Sequence, residues 1–430
     1  MRLIFLFLGV QTLLNAQHIS DFVSVLPTAQ TPNLVIPSTH VFQVLIQEGD
    51  TLSNGGILPP NPDFTAYVPT RRSSREGRIS LNHENTVGGA TILDVSRNPN
   101  TGFWQIQHSE AVNFAPVFGT ARNCSGGITP WNTVLSGEEV MNTYDGNSDG
   151  YADNGWLTEI DPISRVALRK LWKVGRASHE NAAVSFDRTT LYTGGDDPTF
   201  GFLFKFETAT PGDFTDGRLY VLKLTAGGAG IWMPLPNTTQ ADCNNACFNA
   251  QALGATNIAG IEDVEIAPNG KIYLAAKHSG QVYRFNDMGE TVENYEIFVA
   301  TTAYPITHSG GTVIESWGTG NDNLAFDDLG NLWVLQDGGN NHIWVISPTH
   351  TAANPQVRLF ATTPAGSEPT GITFSPNYKF IFLSIQHPFT WNSTPQTDAT
   401  GRSILFNRST TLVISRSAVL GQSFCTCEPD

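Results

Sequence analysis

Cys124 stands in the run Asn123-Cys124-Ser125-Gly126-Gly127-Ile128-Thr129-Pro130-Trp131, with Glu138 and Glu139 close behind it. An isolated cysteine is ordinarily a small buried hydrophobe. Here the two glycines let the main chain approach another group closely, and the paired carboxylates add hard oxygen donors beside a soft sulfur. That mixture suits a thiolate-bound transition metal sitting among oxygen-loving cations. More acidic motifs follow: Asn82-His83-Glu84, Ser178-His179-Glu180-Asn181, Gly260-Ile261-Glu262-Asp263, Asn321-Asp322-Asn323 and Glu368-Pro369-Thr370-Gly371. Carboxylates brought together without basic partners repel one another unless cations neutralise them. The pattern therefore points to a metal-dependent hydrolase. His83 and His179 are expected to orient the neighbouring Glu rather than to bind metal themselves.

Two further groups could carry chemistry. Asp145, Asn147, Asp149 and Asp153 lie in Asp145-Gly-Asn-Ser-Asp-Gly-Tyr-Ala-Asp153, which matches the front of a calcium loop; Trp156 stands where its bidentate acid would be. The alternative is a plain polar turn. Asp196-Asp197 could add a ligand or close a turn, and Lys205, after that pair, and Arg176, before Ser178-His179-Glu180, are cations available to hold an anion. Gly146-Asn-Ser-Asp-Gly150 spells Gly-x-Ser-x-Gly but lies in a polar, Asp-rich run rather than between an apolar strand and a helix, so no nucleophile elbow is present, nor is a phosphate-cradling P-loop or HExxH.

The elements that must position these residues read as strands. Short apolar runs alternate with Gly, Asn, Asp and Pro, and helical periodicity is scarce. Glu265-Ile-Ala-Pro-Asn-Gly-Lys-Ile-Tyr-Leu-Ala, Ala325-Phe-Asp-Asp-Leu-Gly-Asn-Leu-Trp-Val-Leu and Thr373-Phe-Ser-Pro-Asn-Tyr-Lys-Phe-Ile-Phe-Leu share one strand–turn–strand template, and the run from Ala182 fits it more loosely. Such a hairpin recurring at about 50 residues is the signature of a β-propeller blade, and about six blades fit the length. The fold class is all-β: a six-bladed β-propeller over residues 75–430, preceded by a Pro-rich peripheral extension over 17–74. In a propeller, strand-entry loops converge on the axis, so carboxylates distant in sequence would meet in one funnel.

The chain has 430 residues and a formal net charge of −15. No basic stripe exists to neutralise phosphates, which excludes a nucleic-acid partner. Residues 1–16 read as an export signal, with Arg2 ahead of an apolar run and Ala16 before a cut at Gln17. No segment resembles a membrane span, so the mature protein is expected to be secreted or periplasmic, and a monomer. Of five cysteines, Cys243 and Cys247 could form a local disulfide. A Cys425–Cys427 bridge would be strained, and a bridge between the two pairs is the other option; each scheme leaves Cys124 free.

Taken in order and spacing, Asn82-His-Glu84, the Cys124 run, Glu138-Glu139, Ser178-His-Glu180, Tyr192-Thr-Gly-Gly-Asp-Asp197, Asp322-Asn323 and Glu368-Pro-Thr-Gly371 resemble the PhoX-type alkaline phosphatases over about residues 77–390. The resemblance implies a six-bladed propeller holding Fe3+ and Ca2+ bridged by an oxo group, and hydrolysis of phosphate monoesters outside the cytoplasm. On that analogy Cys124 ligates iron, and Glu139, Glu180, Glu262, Asp322 and Glu368 hold the iron and calcium ions. Glu84 and Glu138 complete the set as ligands or as groups supporting them. One position departs from the family: its Arg two residues before the Glu matching Glu262 is Gly260 here. Lys205, Arg176 or the calcium ions must then bind the phosphate, or a different ester is cleaved. A calcium-dependent propeller hydrolase of the lactonase type would explain the blades and carboxylates but leaves Cys124 without a role. A non-catalytic binding propeller with structural calcium would do the same.

Overall fold

A computed structural model describes residues 18–426; the expected export signal lies outside the described residues. Its sheets are antiparallel and propeller-like. Four are four-stranded, one is nine-stranded, and two are short two-stranded ribbons. Each repeat template recognised in the sequence is an observed hairpin: Ile261–Ile266 with Ile272–Ala276, Asn321–Phe326 with Leu332–Gln336, and Glu368–Phe374 with Phe380–Gln386.

Apolar side chains facing neighbouring sheets weld them into a ring. Val68 and Ile92 of the first sheet pack with Val134 and Ile160 of the second. Leu135 and Leu157 of the second meet Leu191 and Phe204 of the nine-stranded sheet. Tyr273 and Val282 of the latter meet Leu324 and Val334, Trp333 meets Ile372 and Ile381, and Phe382 returns to Tyr67 and Ile79 of the first sheet. At the last junction the Tyr67 and Phe382 rings stack with centroids 4.4 Å apart.

The segment 17–74, expected as a peripheral extension, is part of this ring. Strand His40–Gln47 pairs with Thr410–Arg416 and completes the last sheet, while Pro62–Pro69 is the innermost strand of the first. The last sheet thus takes strands from both ends of the chain, which covers an edge that would otherwise be open.

Two short helices, Gln240–Asn244 and Ala246–Ala252, were not expected from the sequence. A Thr239/Asp242 capping box starts the first. They turn Cys243 and Cys247 inward as free thiols, each directed at a main-chain carbonyl, Asn237 O at 3.6 Å and Arg176 O at 3.3 Å. The Cys243–Cys247 disulfide is therefore absent, as is a bridge between the two cysteine pairs; Cys425 is disulfide-bonded. None of the described helices is long and apolar enough to cross a membrane.

Candidate metal centre

The donors sit at the entry ends of the innermost strands. Asp63, Cys124, Glu262 and Asp322 are each second in Pro62–Pro69, Asn123–Ile128, Ile261–Ile266 and Asn321–Phe326; Glu368 opens Glu368–Phe374, and Glu180 precedes Ala183–Val184. The pairing register slips by one residue at Pro62/Thr65, Asn123/Gly126, Ile261/Asp263 and Asn321/Leu324. A one-residue bulge re-aims the side chains it carries. In all four strands it falls on the donor.

These side chains meet in a cavity of about 470 Å³ lined by Asp63, Glu84, Cys124, Glu139, Glu180, Glu262, Asp322, Asp337 and Glu368, with Arg122, Lys277 and His387 also in its lining. Three clusters have donor atoms within 4.8 Å of one another: Asp63–Cys124–Glu180, Glu84–Cys124–Glu139 and Glu180–Glu262–Asp322. Cys124 and Glu180 each belong to two clusters and so join them into one chain of donors. Cys124 Sγ lies 3.5 Å from Asp63 Oδ2.

The electrostatics are those of a site built for cations. Burial, then the charges of its neighbours, holds the carboxyl groups of Asp63, Glu180 and Asp322 well above the ordinary carboxylate range. Glu262 is raised by burial as well, although the Lys277 ammonium 2.7 Å away opposes it. The same two causes push Glu139 up to about 8; burial moves Glu368 to about 7 against a hydrogen bond from His387. Burial and the surrounding carboxylates raise the Cys124 thiol too. Both Glu180 oxygens and Asp63 Oδ1 are buried without a hydrogen-bond partner among the described residues. Two carboxylates 4.8 Å apart repel by about 3.5 kcal/mol at an effective dielectric of ~20. Unpartnered buried oxygens beside a thiol fit bound metal ions.

Other sequence candidates lie elsewhere. Glu138 is fully buried but turned away from the cavity. Its Oε1 pairs with Lys170 at 2.9 Å, and its Oε2 accepts the N–H groups of Gly155 and Trp156 at 3.0 and 3.1 Å. Lys205 is clamped between Glu207 and Asp287, 2.8 and 3.1 Å away, beside the Trp232 ring. Arg176 donates to the carbonyls of Asn154 and Asn142 and props the loop between them. Neither cation lines the cavity: a buried Lys or Arg needs partners of its own, and each has found them. The carboxylates of the 145–153 loop are occupied by the loop's own backbone. Asp145 accepts from Asp149 and Gly150, Asp149 from Tyr151, and Asp153 from Gly146, bonds that a calcium loop and a plain polar turn share. His83 and His179 hold Thr91 and Thr193 rather than orienting a Glu. Asp63 was missed because it lies in the stretch read as peripheral. Its signal was an Asp second in a strand, the position that Glu262 and Asp322 occupy.

Residues 89–389 match the family described as Alkaline phosphatase PhoX. The chain belongs to that family. Among solved structures, Pseudomonas fluorescens PhoX in complex with vanadate, a transition state analogue, is 21% identical, with 92% of this chain and 98% of that chain covered and a TM-score of 0.73. The calcium structure of the Trichoderma reesei carbohydrate-active enzyme of family AA12 is 10% identical, with coverage of 91% and 99% and a TM-score of 0.49. A luciferin-regenerating enzyme is 12% identical, with coverage of 89% and 98% and a TM-score of 0.40. No curated protein matches the sequence significantly. The match to Pseudomonas PhoX extends the likeness of fold across nearly the whole chain; the family match bears on the site.

Proposed function

We propose that this PhoX family member is an exported, metal-dependent phosphatase that hydrolyses phosphate monoesters at an iron and calcium cluster. The observation that carries the reading is the continuous chain of donors running from Glu84 and Glu139 through Cys124 and Asp63 to Glu180, Glu262 and Asp322. A soft thiolate at its centre suits iron, and the oxygen-only cluster at Glu180–Glu262–Asp322 suits calcium. Glu368, held by His387 at 3.1 Å, closes the rim. The four four-stranded sheets, with the nine-stranded sheet counted as two blades bridged by strand Gly230–Leu235, support a six-bladed reading of the propeller.

When bound, such cations polarise the phosphoryl group and offset its charge. The chain's own residues do the rest. Buried carboxylates fix the cations in a rigid, strand-mounted frame. Arg122, paired with Glu84 at 3.0 Å and Glu139 at 3.7 Å, neutralises one wall, and Lys277 the other. No Ser or Cys nucleophile is needed, in agreement with the missing motifs. Elemental analysis and p-nitrophenyl phosphate hydrolysis on the purified mature chain test this together. Iron with calcium and turnover on phosphomonoesters is the expected result. Full metal loading with no turnover on a broad phosphoester panel would overturn it.

A further inference from the structure

Lys277 follows strand Ile272–Ala276 and lines the cavity. Its Nζ is 2.7 Å from Glu262 Oε1, and Asp196 and Asp337 are next, both at 3.9 Å. An ammonium has three N–H donors, and only one is at hydrogen-bond distance from a carboxylate. A third of the side chain is exposed, on the cavity wall. Its main chain is held on both sides. The Lys277 N–H donates to Gly260 O at 2.8 Å, and its carbonyl accepts from Gly320 at 3.1 Å. Directly across that ladder, Gly260 adopts φ +69° and leaves room for the stem. A Cβ there would come within 3.3 Å of Lys277 Cβ and 2.9 Å of the His278 ring.

From this geometry we propose that Lys277 binds the phosphoryl oxygens of the substrate and of the inorganic phosphate product. The proposal rests on the phosphatase reading and deepens it. With Glu262 engaged by a cation, the ammonium is no longer needed to neutralise that carboxylate, and its free N–H groups face the cavity. An anion arriving in a pocket lined by carboxylates meets a fixed positive donor at that point. Neither Lys205 nor Arg176 can supply this contact, since both are committed outside the cavity.

The test is calorimetric titration of the metal-loaded mature protein with inorganic phosphate, comparing wild type, Lys277→Met and Lys277→Arg, with metal content measured on each. Lys277→Met should keep its metals and bind phosphate about tenfold to a hundredfold more weakly, the worth of one charge-assisted hydrogen bond. Its KM should rise more than its kcat falls, and Lys277→Arg should recover most of the affinity. Unchanged phosphate affinity in Lys277→Met, an Arg variant as weak as the Met variant, or loss of metal that accounts for the weaker binding would each overturn the assignment to Lys277. A loaded wild type that does not bind phosphate would instead overturn the phosphatase reading, and this contact with it.

Discussion

Replacing Glu180 by Gln should change stability in opposite directions depending on whether metal is present. Glu180 is buried, has no hydrogen-bond partner on either oxygen among the described residues, and shares its surroundings with Glu262, Glu139, Asp63 and Asp322. Donor atoms of Glu262 and Asp322 lie within 4.8 Å of its own, so each ionised neighbour costs about 3.5 kcal/mol at an effective dielectric of ~20. Partial protonation relieves some of this repulsion. Glu180→Gln keeps the shape, removes the charge and offers two N–H donors to the neighbouring carboxylates. The chelated variant should therefore be more stable than chelated wild type by about 2–4 kcal/mol near pH 8, roughly one such repulsion. In the loaded protein the same change deletes a shared donor and leaves cations under-neutralised, a loss of about 3–5 kcal/mol, with metal content falling. Thermal and denaturant melts with and without chelator, alongside elemental analysis, read both signs. A variant destabilised equally in both states, or one that keeps its full metal content, would refute the reasoning.

Three further outcomes are expected. Without metal, the carboxyl groups of Asp63, Glu180, Glu262 and Asp322, together with Glu368 at about 7 and Glu139 at about 8, hold protons that the unfolded chain releases near pH 4. Their folded values are raised, so their contribution is fully present below pH 4 and is lost as pH climbs through 7 and 8; chelated protein should melt earlier at pH 8 than at pH 5, and loaded protein should lack that slope. Lys170→Met strands Glu138 as an unpaired buried charge, which should cost about 3–5 kcal/mol in denaturant melts while metal per folded chain stays constant. Cell fractionation should recover the protein outside the cytoplasm, beginning at Gln17 on amino-terminal sequencing; recovery only inside the cytoplasm with Met1 intact would refute the export reading.

The sequence announced the hairpins plainly, because each pairs an alternating apolar strand with an Asn-, Asp- or Gly-bearing turn. It also announced most of the donors, because acids are rare at the start of a buried strand unless something neutralises them. What it hid were features decided by register and by side-chain partners. Cys124, Glu262 and Asp322 face the cavity through bulges, and a bulge adds one residue without altering composition. Glu138 looks like a twin of Glu139, but Glu138 closes strand Val134–Glu138 and meets Lys170, whereas Glu139 lies just past the strand and lines the cavity. Lys205 and Arg176 were near the acidic motifs along the chain yet lie outside the cavity lining, whereas Lys277 reaches the cavity from a turn that carries no motif and Arg122 from the residue just before the Cys124 run. Cys243 and Cys247 are spaced for a bridge, yet two short helices hold the thiols against carbonyls instead.

The pairing of His40–Gln47 with Thr410–Arg416 sets a timetable for the metal centre. Donors are spread from Asp63 to Glu368, and the ring that fixes their relative positions is sealed only after residue 416 has emerged. Early blades can form hairpins while synthesis continues, but a partial polypeptide presents an incomplete basket with weak hold on any ion. Loading must therefore wait for the finished chain, and the cations it acquires will be those of wherever that chain completes its folding.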